Sequence, residues 1–120
     1  MSEYQIYFTK NSSKTKKSSP FSLKKIKDAI GNDKKLRFVE SFIVSVDDNG
    51  KEIILQHAIE YYDSGEWDVL CAIDANTYKI YSFASVWFYE ISKRKLQNLA
   101  EELDSAIVGE NGVLFERDFG

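Results

Sequence analysis

Residues 36–83 carry three turn sequences separated by alternating apolar and polar positions, and a chain with that pattern has few ways to fold. The first turn is Asp47-Asp48-Asn49-Gly50. It suits a two-residue type I′ turn at Asn49-Gly50, because Asn and Gly both tolerate positive φ. That tip predicts Val46 opposite Ile53, Val44 opposite Leu55, Phe42 opposite His57, Glu40 opposite Ile59 and Phe38 opposite Tyr61. The second turn, Asp63-Ser64-Gly65, suits a three-residue loop closed by a left-handed glycine. It predicts Tyr61 opposite Trp67, Ile59 opposite Val69 and His57 opposite Cys71. The third, Asp74-Ala75-Asn76-Thr77, suits a four-residue loop capped by Asp74, with Ile73 opposite Tyr78 and Cys71 opposite Ile80. Residues paired across strands share a face, and all three registers place one mostly apolar set on the same side. The expected fold is α+β, built on a four-stranded antiparallel meander over about 36–83.

The flanks supply the remaining elements. Tyr4 to Thr9 alternates and is rich in β-formers, which predicts a strand with Tyr4, Ile6 and Phe8 inward. Residues 10–20 are Lys- and Ser-rich and lack apolar side chains until Pro20, so a flexible loop is expected. Ser22 is the expected N-cap of a short helix over Leu23 to Ile30, with Gly31 as its stop. Beyond Phe83 the period changes. Leu96, Leu99, Ala100, Leu103 and Ile107 form a helical stripe. A helix over about 86–107 lets Glu90 pair with Arg94; the alternative continues the fourth strand through Val86 to Ile91. This long C-terminal helix is expected to pack, together with the first helix, on one face of the meander, ending at Gly109, with Val113-Leu114-Phe115 returning as an edge strand. Val39, Ile43, Ile54, Ala58, Leu70, Ala72, Tyr81 and Phe83 fall on the other face. Either the N-terminal strand and helix cover it or it is an interface, such as a homodimer contact.

At 120 residues, 43% hydrophobic and 14% aromatic, residues 1–120 are expected to form a single domain. A lone cysteine makes no internal disulfide. The N-terminus lacks a signal-peptide pattern, and no apolar run approaches the ~20 residues of a membrane span. A soluble cytoplasmic protein is expected. The net charge of −3 hides a division: residues 1–37 hold ten Lys/Arg and three acids (+7), and the rest hold six bases and sixteen acids (−10). The basic segment either meets a charged partner or folds against the acidic body.

Three candidate sites emerge. At one end of the sheet, Glu60, Tyr62, Asp63, Glu66 and Asp68 combine acids with aromatics, a mixture suited to binding a basic protein partner. By parity Tyr61 and Trp67 turn inward there, while Glu60, Tyr62, Glu66 and Asp68 face out. Glu40, His57 and Cys71 come together in the predicted register as a candidate pocket, where carboxylate, imidazole and thiol can hold a metal or activate the thiol. The plain alternative is core packing, and no metal or other cofactor is expected. Lys14, Lys16, Lys17, Lys24, Lys25 and Lys27 are the candidate nucleic-acid contacts. No phosphate loop, metal-spaced cysteine pair or catalytic triad occurs. The leading expectation is a non-enzymatic protein-binding domain, an acidic inhibitor of the immunity or antitoxin type that masks a basic surface on a partner enzyme. The alternatives are nucleic-acid binding through the Lys-rich N-terminal third, and a ligand-binding or enzymatic domain centred on His57.

Overall fold

The computed structural model describes residues 5–10, 19–46, 48–50, 52–110 and 112–116, with the backbone alone for 41–46 and 52–56. Its elements are β1 (Gln5–Thr9), α1 (Leu23–Gly31), β2 (Leu36–Val46), β3 (Glu52–Asp63), β4 (Glu66–Asp74), β5 (Ile80–Phe83), α2 (Ala84–Phe88), α3 (Glu90–Glu102), β6 (Ala106–Gly109) and β7 (Gly112–Phe115). The strands form one antiparallel sheet in the order β2-β3-β4-β5-β1-β6-β7. The fold is therefore α+β and the four meander strands are neighbours in chain order. The sheet is wider than four strands because β1 joins it between β5 and β6. Ile6 and Phe8 of β1 are fully buried, and pairing on both sides satisfies the backbone of such a buried strand.

All three predicted registers are shifted. At the first turn the outermost described pair is Val46–Glu52, so the loop is longer than two residues, and Gly50 has positive φ while Asn49 does not. Three irregularities in β2 then place Phe42 opposite Gln56, Phe38 opposite Ile59 and Leu36 opposite Tyr61. At the second turn Asp63 pairs with Glu66, which leaves the two-residue loop Ser64-Gly65 with φ of 53° and 87°. Both residues left-handed is the type I′ geometry, whose twist matches that of the flanking strands. Near this tip the one-residue difference reverses parity. Tyr62 now faces Trp67 and Tyr61 faces Asp68. A bulge at Leu70 corrects the phase, so that Ile59 faces Cys71 and His57 faces Ile73. The Ser82 hydroxyl donates to the Leu70 carbonyl at 2.6 Å within this buried bulge. At the third turn Ile73 pairs with Ile80, and the loop lengthens through Tyr78, whose φ is 58°. Asp74 caps it as expected: its Oδ1 accepts from the Asn76 and Thr77 amides at 2.8 and 2.9 Å.

The helices also depart from expectation at their ends. Ser22 caps α1 by accepting from the Lys25 amide, but the C-cap is Asn32 and Gly31 lies inside the helix. The predicted long helix over 86–107 is two helices and a strand. Tyr89 is extended (φ −90°, ψ 129°) and separates α2 from α3. The Ser92 hydroxyl ties this corner by donating to the carbonyls of Val86 and Tyr89. The Glu90–Arg94 pair does form, at 3.4 Å. At the other end Asp104 turns left-handed and the Ser105 amide bonds back to Ala100, closing α3. Ile107, the last residue of the helical stripe, lies in β6 opposite Phe8.

The helices pack on one face. Ile26, Ala29 and Ile30 of α1 and Leu96, Leu99 and Ala100 of α3 share one core with Ile6, Phe8, Ile59, Cys71, Ile73 and Ile107. Leu70 belongs to this core, which corrects its expected place on the opposite face. The N-terminal strand and α1 do not cover that opposite face: β1 is within the sheet and α1 packs on the same side as α3. Across the opposite face runs the register row Val39, Ala58, Ala72, Tyr81, Tyr7, Val108 and Val113.

Candidate functional site

The second hairpin tip and the α2–α3 corner meet at one end of the molecule. Type I′ geometry aims Asp63, Glu66 and Asp68 toward the helix side, along with Tyr61. Tyr61, Asp63 and Asp68 form one wall of an open cleft of about 350 Å³. Ser85 and Val86 of α2, Tyr89 at the break and Ser92 of α3 form the other. Because the helix is interrupted, three large apolar side chains stay outside the core: Phe88 is 76% exposed, Tyr89 71% and Ile91 48%. Among the described residues no ion pair reaches Asp63, Glu66 or Asp68. The Tyr61 hydroxyl registers the local field. Burial pushes its pKa above the ordinary tyrosine value, and the Asp68 and Asp63 carboxylates push it further, while a hydrogen bond with Ser92 opposes them.

The five predicted partner-binding residues are therefore divided between two faces. Glu60 and Tyr62 lie opposite the helices in a cluster that is already satisfied. Glu60 accepts from Arg37 at 2.6–2.7 Å, and the Arg37 guanidinium lies 4.3 Å from the Trp67 ring centroid. Tyr62 meets Trp67 edge-on at 5.4 Å. Trp67 thus faces away from the helices, and Glu66 and Asp68 face toward them, the reverse of the expected parity. Asp63, Glu66 and Asp68 have no such ion pair among the described residues; the Ser64 hydroxyl donates to Asp63 Oδ1 at 3.2 Å. Phe88, Tyr89 and Ile91 escape a periodicity argument, because a continuous helix hides them among ordinary surface positions. A signal was present in the run Trp87-Phe88-Tyr89, because three consecutive rings span about 200° of a helix and cannot all turn to one buried face.

Glu40, His57 and Cys71 do not assemble. Glu40 is exposed, in the irregular stretch between Val39 and Phe42. His57 packs between Phe38, at 5.2 Å, and Tyr78, at 6.4 Å, and its buried Nδ1 has no hydrogen bond among the described residues. Cys71 is buried in the core, and burial pushes its thiol pKa far up, the opposite of what a nucleophile or metal ligand needs. Among the described residues no group of three His, Cys, Asp or Glu is placed to hold a metal ion.

Lys14, Lys16 and Lys17 lie outside the described residues. Lys24 pairs with Asp28 at 3.3 Å, Lys25 reaches Asp104 at 3.8 Å, and the Lys27 amine sits 5.0 Å from the Phe38 ring centroid. A more buried pair, Lys95–Asp33, ties α3 to the segment after α1. Burial pushes the Asp33 carboxyl up, but hydrogen bonds from Lys95 and the Lys35 amide, with the charges of both lysines, hold it below the ordinary range. Part of the basic segment thus folds against the acidic body.

No protein-family model, no curated protein and no solved structure matches this chain. Among the described residues no helix is long and apolar enough to cross a membrane.

Proposed function

We propose that this protein is a non-enzymatic binding domain that docks on the basic surface of a partner protein through the corner formed by Asp63, Glu66, Asp68, Phe88, Tyr89 and Ile91. The partner is an enzyme whose basic surface is masked, as by an inhibitor of the immunity or antitoxin type. The observation that carries the reading is the exposure of Phe88 and Tyr89 at a corner whose cleft sets Tyr89 opposite Asp63 and Asp68, acids with no ion-pair partner among the described residues. Large aromatics supply most of the energy at protein interfaces, and charge steers the encounter. Capture of the partner from the native host tests this, with variants as the readout. Phe88→Ala is expected to speed release and weaken binding about tenfold or more, as for an interface anchor. Glu66→Lys is expected to slow association and flatten its salt dependence. A partner captured equally well by both variants overturns the proposal.

The nucleic-acid reading makes a different prediction. Mixed DNA and RNA at about 0.15 M salt would bind at micromolar concentration, and neutralising the N-terminal lysines would abolish it. Lys24 and Lys25 already face Asp28 and Asp104, which favours the acidic corner.

A further inference from the structure

The sheet is covered on one side only. Ile26 of α1, Trp87 of α2 and Leu96 of α3 all enter the same core, so no described helix lies over the opposite face. Of the large apolar side chains left in solvent, Phe88, Tyr89 and Ile91 make the corner. Four others, Tyr62, Val69, Phe83 and Val113, are 38% to 43% exposed and share the uncovered sheet face by register. Rings run between them: Tyr7 lies 6.5 Å from Tyr81, Tyr81 lies 6.1 Å from Phe83, and Tyr62 lies 5.4 Å from Trp67. The row that crosses this face from Val39 to Val113 holds no charged residue. Beside it, polar groups are paired among themselves. Arg37 is held by Glu60, and the Tyr7 hydroxyl donates to Gln5 Oε1.

We propose that a second copy of the chain packs on this face, sheet against sheet, about a two-fold axis. A charged partner finds little there to steer it, because Arg37 and Glu60 neutralise each other. A neutral apolar face is complemented by another of the same kind, and a two-fold interface presents the same patch on both copies. Polar groups already paired within the face are not stranded when it is covered, which avoids the main penalty of burying them. The size suits a dimer. Seven strands lie side by side. At ~4.8 Å between strands and ~3.3 Å per residue, seven strands by about five residues make a patch of roughly 29 by 16 Å. Two copies together then bury on the order of 1,000 Å², the size at which a specific interface begins. The acidic corner lies on the helix side, so self-association leaves it open to a different partner.

The test is sedimentation of the full chain from about 1 to about 100 μM, the range in which an interface of micromolar affinity dissociates. A dimer is expected at the upper end and a monomer on dilution. Val69→Lys and Phe83→Glu, at exposed positions where substitution disturbs the fold little, each weaken self-association about tenfold or more. Their unfolding midpoints stay near that of the parent. Phe88→Ala, at the corner, leaves self-association unchanged. In the unsubstituted chain, dilution shifts the NMR signals of Tyr7, Val69, Tyr81 and Val113 and leaves those of Phe88 and Tyr89 in place, a readout that needs no variant to fold. A chain that stays monomeric at the highest concentration overturns the proposal. So does a dimer broken by Phe88→Ala but not by Phe83→Glu, which seats the second copy at the corner. A monomeric chain that captures a host protein through Phe83 also overturns it, because the face then has a different occupant.

Discussion

Ile6, Phe8 and Ile107 at the middle of the sheet and Phe88, Tyr89 and Ile91 at the helix break are similar side chains treated in opposite ways. The first three are completely buried; the second three are 76%, 71% and 48% exposed. Near the middle of the sheet the pairings of β1 are long-range, because it joins the meander to the C-terminal hairpin. At the corner the chain turns locally, stitched by the Ser92 hydroxyl, and leaves its aromatics to solvent. Burial stabilises by about 25 cal/mol per Å² of apolar surface. The corner therefore forgoes the stability that burying these side chains would add. Apolar surface is retained there beside acids that have no ion pair among the described residues, and the docking proposal rests on that surface.

Four measurements can break or sharpen this contrast. The largest effect is expected for Phe8→Ala, which should cost about 3–5 kcal/mol in denaturant unfolding, the usual range for a buried phenylalanine. A loss below about 1 kcal/mol would mean that β1 is not central to the fold. Next is Gly65→Ala. A Cβ there meets nothing within 4 Å, so the cost is conformational. With φ at 87° it should be about 1–2 kcal/mol. No loss would remove the type I′ turn, and with it the placement of Asp63 and Asp68 on the helix side.

The third prediction concerns acid. The Thr77 and Asn76 amides hold the Asp74 carboxyl below the ordinary range. A carboxyl whose folded value lies below its unfolded value, about 3.9, contributes stability that is present above that value. The contribution is lost as pH falls through the folded value. Asp33 acts in the same direction through Lys95. Asp74→Asn should flatten the pH dependence below about pH 4 while its amide oxygen keeps the cap, whereas Asp74→Ala should also cost about 1 kcal/mol at neutral pH, the scale of one capping interaction. Parallel acid limbs for variant and parent would show that the turn carries no such linkage. The smallest stability effect is expected at the corner. Phe88→Ala and Tyr89→Ala should change unfolding free energy by no more than about 0.5 kcal/mol, while reducing partner binding. A loss of several kcal/mol would make them structural and close the contrast.

How much was legible follows the range of the interaction concerned. Ser22 capping α1, Asp74 capping its turn and Glu90 pairing with Arg94 all join residues within four positions of one another, and each forms as its local sequence dictates. The strands between 36 and 83 were equally plain, because alternation is a property of a few consecutive side chains. The acidic–aromatic end was visible as composition. Its geometry was not, since choosing a two-residue over a three-residue loop at Ser64-Gly65 exchanged the faces of Trp67, Glu66 and Asp68.

The amino-acid sequence by itself determined that the segments around 5–9 and 36–83 extend, where the first helix begins and that Gly50 and Gly65 take left-handed turn positions. These are local preferences of backbone and side chain. Only the tertiary structure decided the registers, because a slip of one residue alters local energy little yet moves a whole set of side chains across the sheet. The bulge at Leu70 and the irregularities in β2 bring those sets back to the core. Tertiary packing also ended α3 at Leu103 and drew Ile107 into β6 opposite Phe8, although its spacing continued the helical stripe. A strand position between fully buried neighbours outweighed one more helical turn, and the break at Tyr89 left Phe88 and Tyr89 outside the core.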